Sequence, residues 1–384
     1  MHMPEPVNVG FIGGGPRAES IFNTLILNKQ FEDMVIPVAM MDTSEAVVNN
    51  WRYKVESTYT SLDTFLAHEG LDAVAVITPP STHAAIARRC LEAGIDTWCE
   101  VPMATKLDDV YLILDAERAN KGKRGKYAFG ENSCWYLPIQ FAAKLVDDGK
   151  MGDLFYTEGE YHHSVEHYMI EENYTQKKAI DPEFAAEVHP TWRATLPPIV
   201  YGHAAGMALY VISHQDPKDR PVQVSGFGNM KMLKRFNNQN FQIAMMQTKN
   251  DVICKFGSGF VLPNEEVRHA LFWATKCYFN ATLSGKAEYF LHLVPEGMEK
   301  YPDRHNAGGK KITEQDMVAA GAKVAAGGHG GGDTLMMAAW LASLRGEKPY
   351  DIGGVKAAEM SGVGLFAAEA IKQRKVLDVP DFTR

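Results

Sequence analysis

Residues 7–18 read VNVGFIGGGPRA, and this stretch decides the fold. Val7 to Ile12 is a short apolar run closed by three glycines, the length and bounding of a buried strand. Helical spacing takes over from Arg17 to Asn28, through Ile21, Phe22, Leu25 and Ile26. Between them Gly13-Gly14-Gly15-Pro16-Arg17-Ala18 fits G-x-G-x-x-(G/A). A bare match carries little. One that follows a strand and opens a helix has the context a dinucleotide fingerprint requires. The competing reading is a glycine-rich turn in some other doubly wound fold. Gly13 permits the tight turn, Gly15 lets backbone approach a pyrophosphate, and Ala18 allows close helix–strand packing. The free N–H groups of the helix N-terminus then face the phosphates. The next apolar run, Val35 to Met41, ends at Asp42, 24 residues after Ala18. A carboxylate at about that interval can accept both ribose hydroxyls and repels a 2′-phosphate, so the residues favour NAD over NADP.

Working outward, a third apolar run, Ala73 to Ile77, ends in Thr78-Pro79-Pro80, with helical residues from His83 to Ala93. Ile95 to Glu100 is a further strand, stopped by Pro102. Continuous apolar strands separated by helices imply a parallel sheet covered on both faces. The pattern changes after residue 130. Leu137 to Val146 is helical, and longer segments read as antiparallel strands: Leu154 to His163, Val222 to Gly228, Phe241 to Thr248, Val252 to Phe256 and Leu271 to Phe279. Ala244 to Phe256 reads as a hairpin turning at Thr248-Lys249-Asn250-Asp251. Residues 297–332, rich in glycine, read as long loops around a site; Thr334 to Arg345 and Val355 to Arg374 are the last helices. The expected class is α/β: a Rossmann parallel sheet over residues 1–130, and an α/β domain with a mostly antiparallel sheet over residues 131–384.

The bulk composition excludes several classes. With 39 basic and 47 acidic residues the net charge is -8, a field that repels a phosphate backbone, so no nucleic acid partner is expected. Five cysteines, with no CxxC pair, argue against a disulfide framework or zinc finger and fit a reducing compartment. No run of eighteen apolar residues and no signal-like N-terminus is present, so the expectation is a cytoplasmic protein with no membrane partner.

The segment from Val76 to Ala104, VITPPSTHAAIARRCLEAGIDTWCEVPMA, resembles the glucose–fructose oxidoreductase/inositol dehydrogenase family, also called Gfo/Idh/MocA. That family's T-x-P-x-x-x-H, E-A-G and E-K-P stretches find Thr78, Pro80, His83, Glu92, Ala93, Gly94, Glu100 and Pro102 in matching places, and Phe272 to Lys276 continues the likeness. The resemblance implies a second domain whose open antiparallel sheet holds the substrate. It also implies a carbohydrate partner, a nicotinamide pocket shaped by Pro79, His83, Glu100, Val101, Pro102 and Asn132, and pairing through the sheet face into a homodimer or homotetramer. The family's lysine is Val101 here, and its later Asp…His pair is replaced by a region offering Tyr201 and His203 without an aspartate. A looser likeness runs to NAD-dependent glycosidases similar to bacterial α-N-acetylgalactosaminidase. It rests on Glu100-Val101-Pro102, Glu131-Asn132-Ser133-Cys134-Trp135-Tyr136, Glu160-Tyr161-His162-His163, Gly202-His203-Ala204-Ala205-Gly206 and Gly328-His329-Gly330-Gly331-Gly332-Asp333.

Three functional readings follow: hydride transfer between NAD and a sugar hydroxyl or ketone; a glycosidase that borrows the hydride and returns it; and a non-catalytic NAD sensor. Either enzyme needs a general base working near neutrality. His203 is the first candidate, since histidine ordinarily titrates near 6.5; Tyr161, Tyr201 and His329 are the others. His329 either reaches the site or only serves a glycine-rich turn. His83 either lies by the cofactor or caps a helix. Alternation along a strand puts Tyr161 and His163 on one face and His162 on the other. With His167 these histidines could ligate a metal, but solvent or core histidines are commoner and no metal is expected. His163, Trp192 and Arg193 are candidates for holding sugar, by hydrogen bonding and stacking. Asp333 reads as an N-cap and Trp273 as core.

Overall fold

The parallel sheet begins with β1 (Val7–Ile12), β2 (Val35–Met41), β3 (Ser57–Tyr59), β4 (Ala73–Val76), β5 (Asp96–Cys99) and β6 (Tyr127–Phe129). The structure is a computed structural model that describes residues 6–120, 122–165, 192–231, 237–262, 266–283, 287–294 and 309–384. Strand order is β3-β2-β1-β4-β5-β6, parallel at every pairing, the doubly wound order of a Rossmann domain. β4 is buried along its whole length, as a run of apolar residues between two helical layers must be. The helix Pro16–Ile26 turns Ala18, Ile21, Phe22 and Leu25 inward. Phe22 meets Phe11 and Trp51 at ring centroid distances of 5.5 and 5.2 Å. Burial of such side chains stabilises by about 1.5–3 kcal/mol each.

Two compact units divide the chain. The first is residues 1–135 with 324–358; the second is 136–323 with 359–384. The late segment thus returns to the Rossmann sheet. Ile352 O accepts from Phe129 N–H at 3.0 Å and Tyr350 Oη donates to Phe129 O at 2.9 Å, while Trp340 of helix Gly332–Leu344 lies 6.2 Å from Trp98.

In the second unit, β7 (Leu154–His162), β8 (Pro221–Asn229), β9 (Phe241–Thr248), β10 (Ile253–Gly259), β11 (Val267–Ala274), β12 (Cys277–Thr282), β13 (Glu288–Leu293), β14 (Lys310–Ile312) and β15 (Leu377–Asp378) form one sheet. Its order is β14-β13-β12-β11-β7-β10-β9-β8-β15, antiparallel except for β7 with β10. The expected α/β class and mostly antiparallel second sheet are both present. The β9–β10 hairpin turns where expected, with Asp251 in the left-handed region at φ 65°. Leu271 to Phe279, read as one strand, is a hairpin: Thr275-Lys276 reverses the chain, and Phe272 pairs with Phe279. Two apolar strands of like composition read as one when the turn between them carries neither Gly nor Pro. The expected long loop contains, in its described part, β14 and a helix, Glu314–Ala319, started by a Thr313/Asp316 capping box.

The helix His203–Gln215 covers one face of this sheet so closely that a Cβ on Gly159 would lie 2.0 Å from Ala204 O. The opposite face exposes Met245, Ile253, Trp273 and Phe290. Trp273 is therefore a surface residue, not core; alternation from buried Phe272 turns it outward. None of the five cysteines is in a disulfide, and all are buried; burial pushes the Cys90 and Cys254 thiols up to about 12, which removes them as nucleophiles near neutrality. Among the described residues no helix is long and apolar enough to cross a membrane.

Candidate functional site

The glycine turn is built as its sequence requires. Gly13 has φ 94°, its N–H donates to Met41 O at 2.8 Å, and a Cβ there would lie 2.2 Å from Ile77 O. Only glycine fits. Asp42 is pinned beside the turn: Gly14 N–H donates to Oδ2 at 3.0 Å and Ser44 N–H to Oδ1 at 2.9 Å. Gly15 caps the helix without a side-chain bond, and the space above it is open to 4 Å. Pro16 has no N–H to orphan at that first turn.

Thr78, Pro79 and Pro80 open the helix Pro80–Glu92, where Pro79 is the N-cap and Thr78 Oγ1 accepts from Thr82 Oγ1 at 2.8 Å. His83 lies inside the helix, buried, and is not its cap. Its Nδ1 is 2.8 Å from Pro102 O and its Nε2 2.7 Å from Thr78 O, so it ties the end of one loop to the other. Burial lowers its pKa, against the pull of the two carbonyls and Glu100.

Val101, at the position of the family's lysine, directs its N–H to Glu100 Oε2 at 3.0 Å; its bond to Pro102 is cis. Lys106 does not replace the lysine: it is the exposed N-cap of helix Leu107–Ala119. The cation that meets Glu100 is Arg17, with Nε donating to Oε1 at 2.6 Å. The same guanidinium makes a fork to Asp333, at 2.8 and 3.1 Å. Asp333 also accepts from Asn132 Nδ2 at 3.0 Å and meets His329 Nδ1 at 2.9 Å. It is not the expected N-cap: Gly331 holds that place, and Asp333 sits in the first turn, fully buried. Burial opposes its charge, but His329 and Arg17 hold its carboxyl far below the usual range. Arg17, opposed by burial, is held charged by Glu100 and Asp333.

In the second unit, alternation along β7 sends Tyr161 toward the helix-covered face and Glu158, Glu160 and His162 to the other. Tyr161 stacks on His203 with ring centroids 4.3 Å apart, and lies 5.9 Å from His163. His203 is the first residue of its helix, after Gly202 at φ 90°. Tyr201, in the turn Pro198–Tyr201, is 6.3 Å from His203. Arg268, absent from the sequence candidates, stands opposite Tyr161 in register, its guanidinium 5.0 Å from that ring and 4.9 Å from the Tyr136 ring. Glu266 holds it, with Nε to Oε1 at 2.6 Å. A cation over both phenol rings favours negative charge there. Strand pairing is the signal that would have found it. His162 instead stacks on Phe241 at 4.7 Å and sits 3.6 Å from Glu160, which Lys255 also holds at 2.8 Å. His167 and the side chains of Trp192 and Arg193 lie outside the described residues. Among the described residues no three His, Cys, Asp or Glu side chains are grouped to hold a metal.

Residues 7–124 match the family described as the oxidoreductase family with NAD-binding Rossmann fold, Gfo/Idh/MocA. Over those residues the chain is similar to the NAD-binding Rossmann domains of that family. Over nearly the whole chain, it is similar to a glycosyl hydrolase family 109 protein of Shewanella sp. strain W3-18-1, 24% identical over 98% of this chain and 85% of the relative. It is equally similar to an α-N-acetylgalactosaminidase of Shewanella oneidensis, 24% identical over 99% and 86%. Among solved structures, an oxidoreductase domain protein from Kribbella flavida superposes with TM-score 0.77 at 17% identity, covering 98% and 100% of the two chains. Levoglucosan dehydrogenase with NADH and L-sorbose gives 0.76 at 13%, covering 98% and 100%. Both likenesses read from the sequence, to the family and to its glycosidases, are present in these matches.

The cradle fits NAD on its own geometry. Open space stands over Gly15 at a helix N-terminus, Asp42 is held beside the turn by Gly14 N–H, and the buried Asn132 Oδ1 has no hydrogen-bond partner among the described residues, which leaves it able to accept from the N–H of a carboxamide.

Proposed function

We propose that this chain acts on a carbohydrate by exchanging hydride with NAD, and that its net reaction is hydrolysis of a glycoside. The observation that carries this is the stacked Tyr161–His203 pair with Arg268 over Tyr161, in a chain whose relatives, matched over 85% and 86% of their length, are named as a glycosyl hydrolase family 109 protein and an α-N-acetylgalactosaminidase. Bound NAD supplies a reversible acceptor for the hydride of one sugar carbon. Gly13, Gly14, Gly15, Pro16, Asp42, Thr78, Pro80 and Asn132 would hold it. The Tyr161–His203 pair takes the proton of the hydroxyl being oxidised, and Arg268 stabilises the charge that develops. A ketone at carbon 3 acidifies the proton on carbon 2. A base removes that proton, the aglycone leaves carbon 1 and takes a proton, water adds, and hydride and proton return to carbon 3. Valine in place of the family's lysine suits a chain whose cofactor ends each cycle oxidised.

The second reading is net oxidation of a sugar or polyol, favoured by the dehydrogenase neighbours in fold. A panel of 4-nitrophenyl glycosides and matching free sugars, with nitrophenol and reduced nicotinamide followed together, separates the two. Nitrophenol released over many turnovers without reduced cofactor supports hydrolysis. Stoichiometric reduction of added NAD by a free sugar, without aglycone release, supports oxidation. Neither event, with NAD bound, leaves the sensor.

The same reading places the protein in the cytoplasm, on five thiols with no disulfide, and gives it no nucleic acid partner at a net charge of -8. It also makes the chain a homodimer or homotetramer through the sheet face bearing Met245, Ile253, Trp273 and Phe290. Sedimentation of the intact chain as a monomer at micromolar concentration overturns that assembly.

A further inference from the structure

A peptide between two glycines rotates without meeting a Cβ on either side, so the Gly14–Gly15 unit can turn either of its polar groups to a ligand. We infer that Trp51 is the positioning residue that decides between them, holding this unit with its N–H toward the pyrophosphate of NAD; the inference rests on the glycine turn as the NAD site and not on which reaction the NAD serves. Trp51 Nε1 donates to Gly14 O at 3.1 Å. The Gly14–Gly15 bond is trans, so its carbonyl and its N–H point in opposite directions. With the oxygen drawn onto a fully buried indole, Gly15 N–H is turned away from it. That N–H has no partner among the described residues. A Cβ on Gly15 would meet nothing within 4 Å, so a ligand oxygen has room to approach. Reversed, the unit would show a carbonyl oxygen to an anion and leave the indole N–H buried without an acceptor, and both are unfavourable.

One short segment supplies the whole brace. Ahead of helix Glu45–Trp51, Asp42 Oδ1 accepts from the N–H of its N-cap Ser44 at 2.9 Å, and Oδ2 accepts from Gly14 N–H at 3.0 Å. Trp51 closes the same helix. Gly14 is thereby held at both backbone groups, its N–H by a carboxylate and its carbonyl by an indole. Its flank is filled as well: a Cβ there would lie 2.3 Å from Met40 Cε and 2.5 Å from Val47 Cγ1. The indole has little freedom to give way. Phe11 and Phe22 lie 5.7 and 5.2 Å from it. Lys54 Nζ stands 4.9 Å from the ring centroid and donates to Glu19 Oε1 at 2.7 Å, in the first turn of the helix that the glycine turn opens. The direction of Gly15 N–H matters because its neighbours are committed. Gly13 N–H goes to Met41 O, Gly14 N–H goes to Asp42, and Pro16 has none. Gly15 is therefore the residue from 13 to 16 with an N–H left for a phosphate oxygen.

The test replaces the Trp51 indole by benzothiophene, with 3-benzothienylalanine inserted at that codon alone. Sulfur then stands where the N–H stood, and the shape is kept. Trp51→Phe is the second variant, and ADP-ribose is the probe. In protein labelled with 15N-glycine, the Gly15 amide is the signal missing from Gly15→Ala, a change that the open space and a φ of -73° admit. At saturating ADP-ribose this signal should move downfield in the native chain, as an amide does on bonding a phosphate oxygen, and should not do so in the benzothiophene variant. Calorimetry should show the Kd of ADP-ribose raised about tenfold in both variants. The inference is overturned by a Gly15 amide that stays in place in the native chain, by one that moves alike in the benzothiophene variant, or by native affinity in that variant. A benzothiophene variant that fails to fold also overturns it, since Trp51 then serves the structure at large. Gly13→Ala separates two failures. Native affinity in Gly13→Ala and in both Trp51 variants removes the turn from the cofactor site. Affinity that falls in Gly13→Ala and holds in the Trp51 variants overturns the inference alone.

Discussion

The two units carry their chemistry in opposite ways. In the first, the charged groups lock one another: Arg17 is gripped by Glu100 and Asp333, and Asp333 has a donor on every lone pair. In the second, the central contact is a stack of two rings, Tyr161 on His203, with the Arg268 guanidinium over Tyr161. The first arrangement fixes geometry, because a buried ion pair with one partner removed costs about 3–5 kcal/mol. The second brings a phenol and an imidazole face to face with a guanidinium beside them. A cofactor needs the first kind of site and an exchangeable proton the second.

The largest expected effect breaks the locked side. Gly13→Ala puts a Cβ 2.2 Å from Ile77 O in a left-handed backbone, and the backbone alone costs about 1–2 kcal/mol. The turn must move, and calorimetry should show NAD affinity falling by more than about 100-fold, since each 1.4 kcal/mol is tenfold. The β7–β10 amides of the second unit should keep their hydrogen-exchange protection. A native Kd in Gly13→Ala removes the glycine turn from the cofactor site.

Next in size is the exchangeable side. Arg268→Met keeps the bulk against Tyr136 and Tyr161 and removes the charge. We expect kcat to fall by about 10²-fold, as for loss of one electrostatic group, with NAD affinity unchanged. Steady-state kinetics beside a melting curve checks this. A lower Tm with kcat intact makes Arg268 structural, and the comparison between the units loses its second half.

How much of this was legible follows from how local each signal is. The first fingerprint, β2 and β9 stand in the structure at the bounds read from apolar runs, because glycine turns and buried strands are specified by adjacent residues. The β11–β12 hairpin was not, since Thr275-Lys276 gives no turn signal and only pairing reveals the reversal. Asp333 was misread for a similar reason. An acid at the start of a helix looks like a cap, and its true partner, Arg17, is 316 residues away. Arg268 lay in an ordinary strand until register put it opposite Tyr161. Local chemistry writes itself into sequence; chemistry assembled by topology does not.

The smallest effect sharpens the comparison through acid. In the first unit burial lowers the pKa of His83, so the unfolded chain takes up a proton that the folded chain refuses once pH drops below the ordinary value of 6.5. The unfolded state binds more protons there, and stability falls with falling pH. In the second unit His162, opposed by burial and joined by Lys255, holds Glu160 down at about 2 against an ordinary 4.5. Its contribution is intact above 4.5 and is lost as pH falls from 4.5 toward 2. The units should therefore loosen in order. Hydrogen exchange by segment should show helix Pro80–Glu92 losing protection as pH falls below 6.5, with β7 and β10 protected until below 4.5. His83→Gln, whose amide can meet one carbonyl without titrating, should abolish the first step and leave the second. Simultaneous loss of both segments would mean that the two units unfold as one, and that the separate character of their sites does not extend to their stability.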